Sequence, residues 1–155
     1  MNLILKPYNS QYKLKITPHI SPKYLKKYNN RLFPFIIWNL LRIEYNDFYI
    51  LVNEVNDEIV GYIDYRIKRT PFSNARLYIY GVEIIKEMRG KGYGTILMDK
   101  ALSILKDWNN SEVYLYVSRY NVTAINLYDK YLFADITKNK NAERLLMKKD
   151  LNGEN

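Results

Sequence analysis

Three glycines lie within five residues, at Gly90, Gly92 and Gly94, in a chain that has only six glycines. They stand where an apolar strand pattern gives way to an amphipathic helix pattern, and Arg89 and Lys91 add positive charge beside them. Glycine permits positive φ and close approach of a ligand to the backbone. The first N–H groups of a helix are unpaired, lie at the positive end of its dipole and bind phosphate. The loop therefore predicts a pyrophosphate site, with a tight strand-to-helix turn that holds no ligand as the alternative.

The order of these glycines differs from the two common nucleotide signatures. A P-loop needs Gly-x-x-x-x-Gly-Lys followed by Ser or Thr, a dinucleotide fingerprint needs Gly-x-Gly-x-x-Gly, and neither spacing occurs here. The chain also has no cysteine and a single histidine, His19. This composition excludes disulfides, thiolate metal sites and cysteine nucleophiles, and we expect no metal site.

Length and charge limit the class of protein. A chain of 155 residues with 48% apolar residues is expected to form a single domain over 1–155. The net charge is +8, but the 24 lysines and arginines are scattered, so no direct nucleic-acid partner is expected. No secretory signal fits the N-terminus, and no apolar run approaches the roughly 18 residues of a membrane span. We therefore expect a cytoplasmic protein with no membrane partner, either a monomer or a homodimer.

The N-terminal part of the chain predicts short strands followed by two helices. Leu3–Lys6 and Tyr12–Thr17 both indicate strands. Ser21-Pro22 is typical of a helix start, because serine can cap and proline suits the first turn. We predict helices over about 22–29 and about Pro34–Glu44.

From Asp47 onward the pattern changes to strands. Three segments predict an antiparallel meander: Phe48–Glu54, Ile59–Ile67 and Arg76–Ile85. Alternation in the second segment places one set of residues on a common face: Ile59, Gly61, Ile63, Tyr65 and Ile67. The third segment runs directly into the glycine loop.

The C-terminal half predicts two helices separated by a strand. After the glycine loop, Leu97, Ala101 and Leu105 recur at helical spacing and indicate a core-facing stripe. The strand Val113–Val117 follows a helix and should lie parallel to its predecessor. Asn121 can cap the next helix. The remaining elements are a helix through about Lys130 and two closing strands, Leu132–Thr137 and Arg144–Lys149.

Two motifs in this arrangement resemble those of the GNAT family of N-acetyltransferases. Arg89, Gly92 and Gly94 match that family's acetyl-coenzyme A loop. A second segment is similar to the family's Asn-x-x-Ala-x-x-Leu-Tyr-x-Lys-x-Gly-Phe at six positions: Asn121, Ala124, Leu127, Tyr128, Lys130 and Phe133. Leu132 departs, because the family has glycine there for the turn after the helix. The resemblance covers roughly residues 47 to 149 and implies an α+β fold of α/β/α layers, with a mixed, mostly antiparallel sheet and helices on both faces.

The resemblance implies acetyl transfer from acetyl-coenzyme A to a primary amine. The pyrophosphate would lie on the loop residues Arg89, Gly90, Lys91, Gly92, Tyr93 and Gly94. The pantetheine arm would run beside the strand at Val82 and Ile84, with a further contact from Asn121. The family's general acid for the leaving thiolate is the tyrosine of the second motif, here Tyr128. Packing alone is the alternative for Tyr128, and plain helix capping for Asn121.

The general base is left open by the sequence. Tyr116, Tyr78 and Glu83 are candidates, and ordered water is the remaining alternative. The acceptor should enter between the predicted helices of residues 21–44 and the strand that carries Tyr78 and Tyr80. The acceptor could be a protein N-terminus, a ribosomal protein or a small amine. A GNAT-like module that binds coenzyme A or a partner without catalysis is the alternative to an enzyme.

Overall fold

The computed structural model describes residues 2–16, 44–70, 73–108 and 111–153. Its strands are β1 (Leu3–Pro7), β2 (Glu44–Asn53), β3 (Glu58–Thr70), β4 (Ser73–Ile84), β5 (Glu112–Ser118), β6 (Ala134–Asp135) and β7 (Arg144–Asp150). Its helices are α1 (Lys13–Ile16), α2 (Tyr93–Lys106) and α3 (Val122–Lys130), with short 3-10 helices at Ser10–Tyr12 and Lys86–Met88. None of the helices in this part of the chain is long and apolar enough to cross a membrane.

The two helices expected over about 22–29 and Pro34–Glu44 lie outside the described residues, except for the last position. Glu44 is the first residue of β2, so a helix that extends to Glu44 is wrong. The backbone of β2 pairs with β3 from Glu44 onward, in register with Lys68. Cross-strand pairing therefore begins earlier than the apolar pattern indicated.

The seven strands form one mixed sheet in the spatial order β1-β2-β3-β4-β5-β7-β6. Neighbouring strands are antiparallel except β4 and β5, which are parallel. The chain passes from β4 to β5 through α2, and a crossover through a helix returns the next strand parallel to its predecessor. The expected parallel strand and the expected α+β fold class are both confirmed.

Each face of the sheet carries its own apolar cluster. The first face is covered by α2 and α3, and α2 buries Leu97, Ala101 and Leu105 against it, which confirms the predicted stripe. The second face carries a cluster that includes Phe48 and Tyr62. The two clusters place the residues of each strand alternately on one face or the other, as a strand's period of two requires.

A β-bulge in β3 changes the face of Ile59. Leu51 pairs with Gly61, but the next residue, Val52, pairs with Ile59, so Val60 is an extra residue in β3. Ile59 therefore lies in the cluster of the second face, whereas Ile63 lies in that of the first. The expected common face of these residues is wrong at Ile59, because a bulge shifts the alternation by one residue.

Residues 10–16 are helical rather than extended. A 3-10 helix at Ser10–Tyr12 leads into α1, so the predicted strand Tyr12–Thr17 is wrong over the described residues. Tyr12 and Ile16 are four residues apart and both are buried in the cluster of the second face. Spacing of this kind puts two side chains on one side of a helix. The hydroxyl of Tyr12 donates a hydrogen bond to Asp57 Oδ1 at 2.8 Å, which ties this helix to the β2–β3 turn.

Candidate functional site

The pairing between β4 and β5 is short and ends in the middle of both strands. Only Leu77–Ile79 pairs with Val113–Leu115. Beyond these residues β4 continues to Ile84 beside β3, and β5 continues to Ser118 beside β7. The facing edges of β4 and β5 are therefore not paired with each other past this point. We call this place the split.

A second β-bulge lies in β4 at the start of the split. Tyr65 pairs with Ile79 and Asp64 pairs with Gly81, so Tyr80 is an extra residue in β4. A bulge bends the strand and redirects a side chain. Here it places Tyr80, which is 43% exposed, at the point where β4 leaves β5.

The glycine loop connects the end of β4 to the start of α2. Gly90 and Gly92 have φ of +75° and +78°, and Gly92 is the N-cap of α2. These are left-handed conformations that favour glycine. Nothing lies within 4 Å of a Cβ built on either residue, so conformation and not crowding requires glycine here. Gly94 differs, because its Cβ would contact Leu127 Cδ2 of α3 at 3.5 Å.

Several N–H groups of this loop have no acceptor among the described residues: those of Gly90, Lys91, Gly92 and Gly94. Gly92 provides no side-chain cap for the helix. Tyr93, the first residue of α2, packs half-buried against the apolar cluster of the first face. The loop thus has the free donors and positive helix end that bind phosphate.

The side chain of Arg89 connects the glycine loop to the end of β4. Its Nε donates a hydrogen bond to the carbonyl oxygen of Ile84 at 2.9 Å, and its Nη2 lies 3.0 Å from Glu83 Oε1. The hydroxyl of Tyr62 donates to the other carboxylate oxygen, Oε2, at 2.6 Å. Both oxygens of Glu83 are therefore engaged. The side chains of Val82 and Ile84 pack on the first face, and the Ile84 carbonyl is already an acceptor.

Tyr128 lies on α3 with its side chain in the cluster of the first face, 7% exposed. Burial raises the pKa of its hydroxyl to about 12. None of the described residues hydrogen-bonds this hydroxyl. Tyr128 is thus a neutral O–H donor over the whole range of physiological pH.

The turn after α3 holds Tyr128 in a Schellman motif. The N–H of Phe133 donates to Tyr128 O at 3.1 Å, and the N–H of Leu132 donates to Asp129 O at 2.9 Å. The rings of Phe133 and Tyr128 are 5.7 Å apart, which is the apolar contact typical of this motif. Leu132 takes the position usually held by glycine, with φ of +61°. The expected strand Leu132–Thr137 is therefore wrong at its start, and only Ala134–Asp135 pairs with β7.

Tyrosines from β4 and β5 meet on the second face beside the split. The rings of Tyr78 and Tyr116 are stacked, with centroids 6.2 Å apart and an interplanar angle of 3°. Tyr114 contacts Tyr78 at 5.6 Å, and Tyr116 is 44% exposed. The structure thus brings Tyr78, Tyr80 and Tyr116 to the same end of the β4–β5 pair.

Asn121 caps α3, as the sequence predicted. Its side-chain oxygen accepts a hydrogen bond from Ala124 N at 3.2 Å, and its side chain is exposed. Several charged residues of the second face were missed, because no motif contains them: Asp64, Arg66, Lys68 and Arg144. The alternation of β3 could have placed Arg66 and Lys68 on one face.

The family comparison agrees with this geometry. The model of the acetyltransferase (GNAT) family matches residues 13–132. A split pair of parallel strands beside a helix start with unpaired N–H groups thus lies in a chain that belongs to the GNAT acetyltransferase family, which confirms the resemblance seen in the sequence. Membership and named relatives support an acetyltransferase enzyme.

Named relatives agree with this family, and a solved structure agrees with the fold. The N-alpha-acetyltransferase of Sulfurisphaera tokodaii is 34% identical over 55% of this chain and 56% of its own length. N-alpha-acetyltransferase 50 of Danio rerio is 34% identical over 81% of this chain and 76% of its own length. The chain therefore spans little more than half the length of one of these relatives. The Arabidopsis thaliana Naa50 structure, in complex with the bisubstrate analogue CoA-Ac-MVNAL, superposes with a TM-score of 0.61 at 22% identity, covering 97% of this chain and 99% of that one.

Proposed function

We propose that this protein transfers an acetyl group from acetyl-coenzyme A to the α-amino group of a peptide or protein N-terminus. The observation that carries the proposal is the split between β4 and β5, which ends pairing after Ile79 and Leu115 and leads to a loop of unpaired N–H groups. An amide-rich arm can lie along the free strand edge while its phosphates bind the loop. Exposed tyrosines border the split on the second face, where the amine would arrive.

The coenzyme would be held mainly by backbone groups. The N–H groups of Gly90, Gly92 and Gly94 would bind the pyrophosphate, with Lys91 adding charge. The pantetheine arm would pair with β4 between Val82 and Ile84. The Ile84 carbonyl already accepts one hydrogen bond from Arg89, so we assign the contact with the arm to the Ile84 N–H. Arg89 acts by fixing the loop, and Asn121 has its side-chain nitrogen left for a contact to the arm.

An α-amine is the acceptor that such a site can use most easily. The amine must be neutral to attack the thioester, and its ordinary pKa is about 7.7–8.0 for an N-terminus but about 10.4 for lysine. Near pH 7.5 roughly a third of N-terminal amines are already neutral, against roughly one lysine in a thousand. Glu83 is engaged on both oxygens, so we assign the final proton to water held by Tyr78 and Tyr116.

The hydroxyl of Tyr128 would donate a hydrogen bond to the sulfur of the departing thiolate. The amine nitrogen bonds to the acetyl carbon, the C–S bond breaks and the sulfur takes the electron pair. A hydroxyl with a pKa of about 12 stays protonated at neutral pH and is a weaker acid than a thiol with a pKa of roughly 8.5. It therefore stabilises the thiolate chiefly as a hydrogen-bond donor.

The relatives support the α-amine over other acceptors. Two are named N-alpha-acetyltransferases, and the Arabidopsis structure holds a coenzyme A analogue joined to a peptide. A protein of this class would act as a monomer or homodimer in the cytoplasm and would not need a metal. The same names make a non-catalytic module the weaker alternative.

The test compares acceptors that differ only in which amine is free. Purified protein and acetyl-coenzyme A are incubated with a peptide that has a free N-terminus, and with the same peptide N-formylated but carrying one lysine. Mass spectrometry should find acetyl on the free α-amine only. Acetyl on the lysine alone would contradict the α-amine, and calorimetric binding of coenzyme A without product would favour the non-catalytic module.

Tyr128→Phe tests the assigned donor. We expect a fall in kcat of tenfold or more with little change in the KM for acetyl-coenzyme A, because only an interaction made as the thiolate forms is lost. Tyr131→Phe is the matched control, since Tyr131 bonds Thr95 O and Asp99 of α2 and lies outside the proposed site. If Tyr128→Phe and wild type had equal kcat, Tyr128 would serve only to pack in the core.

A further inference from the structure

The second face of the sheet carries an excess of positive charge beside the split. Three carboxylates of this face are paired with cations: Asp64 with Arg66 at 2.8 Å, Glu83 with Arg89 at 3.0 Å, and Glu112 with Lys148 at 2.7 Å. Three further cations of this face, Lys68, Arg76 and Arg144, have no carboxylate within 4.0 Å among the side chains that the structure describes. Arg76 lies over the ring of Tyr114, and the two that contact the tyrosines of the split are Lys68 and Arg144. None of the described carboxylates lies close enough to offset the charge of Lys68 or Arg144.

These two cations lie on opposite sides of the tyrosines at the split. Lys68 Nζ is 4.9 Å from the ring centre of Tyr80 and 5.5 Å from that of Tyr78. The guanidinium carbon of Arg144 is 5.4 Å from the ring centre of Tyr116, and its Nη2 donates to Tyr116 O at 3.2 Å. Arg66 stacks on Tyr80 at 3.5 Å but is neutralised by Asp64.

The sequence adds further positive charge ahead of β2. The sequence from 17 to 43 contains five lysines and arginines and no aspartate or glutamate: Lys23, Lys26, Lys27, Arg31 and Arg42. Glu44 is opposite Lys68 in the backbone register of β2 and β3. The two cations are tested separately and together.

We propose that Lys68 and Arg144 select acceptors with an acidic side chain at the second or third position from the free amine. Neighbouring side chains of an extended peptide are about 3.3 Å apart along the chain and point to opposite sides, so a peptide whose amine lies at the split can direct positions 2 and 3 toward the two cations. Opposite charges attract the acidic peptide, whereas a lysine at the same position is repelled. This specificity rests on the proposed transfer to α-amines.

The experiment uses peptides that are identical except for one charged residue. A reference peptide has glutamine at positions 2, 3 and 6, and variants carry glutamate at one of these positions or lysine at position 2. We expect kcat/KM for glutamate at position 2 or 3 to exceed that of the reference by about threefold at low salt, which is the size of one exposed ion pair. Glutamate at position 6 should give no advantage. The preference should shrink in 0.5 M salt, where the screening length is only about 4 Å.

Variants then assign the preference to the two cations. Lys68→Met and Arg144→Gln should each bring the glutamate-to-glutamine ratio close to one at one of the two positions, and the double variant should do so at both. Lys106→Met, on α2 at the other face of the sheet, removes the same charge and should leave the ratio unchanged. The ratio cancels any general effect of a variant on turnover.

Two kinds of failure are distinguishable. If no peptide is acetylated, the proposed function is wrong. If the reference peptide is acetylated as fast as the acidic ones, or the lysine peptide faster, the function stands and the selection by Lys68 and Arg144 is overturned. An acidic preference that survives in the double variant would also overturn it.

Discussion

The left-handed leucine after α3 allows a sharp test of the local argument. At most positions alanine is more stabilising than glycine, because glycine loses more backbone freedom on folding, by roughly 0.5–1 kcal/mol. Leu132 has φ of +61°, where a Cβ costs about 1–2 kcal/mol. We therefore expect the usual order to be reversed: Leu132→Gly should be more stable than Leu132→Ala.

The magnitude follows from these two opposing terms. Removing the Cβ strain of about 1–2 kcal/mol and adding the entropy cost of about 0.5–1 kcal/mol leaves about 0.5–1 kcal/mol in favour of glycine. Both variants lose the same outer part of a side chain that is 64% exposed, so this loss cancels in the comparison. For a chain of this size, each kcal/mol of difference in stability changes Tm by roughly 2–4 °C.

The assay is equilibrium urea unfolding of both variants, with thermal unfolding as a second measurement. A matched pair at Ser103, an exposed position inside α2, should show the ordinary order, with Ser103→Ala more stable than Ser103→Gly by about 1 kcal/mol. If alanine were the more stable residue at both positions, the left-handed strain assigned to Leu132 would be refuted.

Three further changes test other parts of the structure. Gly92→Val should weaken coenzyme A binding in calorimetry while the protein still folds, because φ of +78° resists a β-branched residue; Gly153→Val is the control, and equal affinity of both would contradict the loop site. Gly61→Ala should destabilise the protein by at least about 2 kcal/mol in urea unfolding, or prevent folding, since a Cβ would lie 2.5 Å from Glu83 O. A variant as stable as wild type would show that the backbone of β3 and β4 can shift at this position. Asp57→Asn keeps a residue that tolerates φ of +55° but removes the charge paired with Lys15, and it should lower Tm at pH 7.

The pH dependence of the Asp57 variant follows from the direction of its pKa. The hydrogen bonds from Lys15 and Tyr12 hold the pKa of Asp57 below its usual range. The charged form is therefore favoured by folding, and this stabilisation is fully present above the unfolded pKa of about 3.9. It is lost as pH falls through that value and then through the lower folded one. The Tm difference between Asp57→Asn and wild type should vanish in acid, and a difference that persists there would assign the effect to something other than charge.

Parts of the fold that depend only on residues close together in sequence could be predicted from local patterns. The stripe on α2, the cap at Asn121 and the parallel return of β5 were all predictable, because each follows from spacing or connectivity within a short stretch. Residues 10–16 were not. Tyr12, Leu14 and Ile16 fit both a strand and a single helical turn, and only the tertiary burial of Tyr12 and Ile16 on one side decides.

The details of the site that were missed depend on register across the sheet. The extra residues at Val60 and Tyr80 are set by pairing with neighbouring strands, and no pattern within one strand shows them. The partners of Glu83 are Tyr62 and Arg89, which are 21 and 6 positions away. A carboxylate in an apolar strand was visible in the sequence, but its engagement on both oxygens was not.

The short paired stretch between β4 and β5 joins two parts of the sheet that differ in size. Four strands lie on one side and three on the other, joined in the backbone by the residue pairs from Leu77 to Ile79. The apolar cluster of the first face spans both parts, with Leu51 in one and Leu145 in the other. Widening the gap therefore costs little hydrogen bonding and leaves the shared core in place. A ligand that pairs with both strand edges would connect the two parts of the sheet by hydrogen bonds. Its binding should therefore slow amide hydrogen exchange along β4 and β5 and make the two parts unfold together.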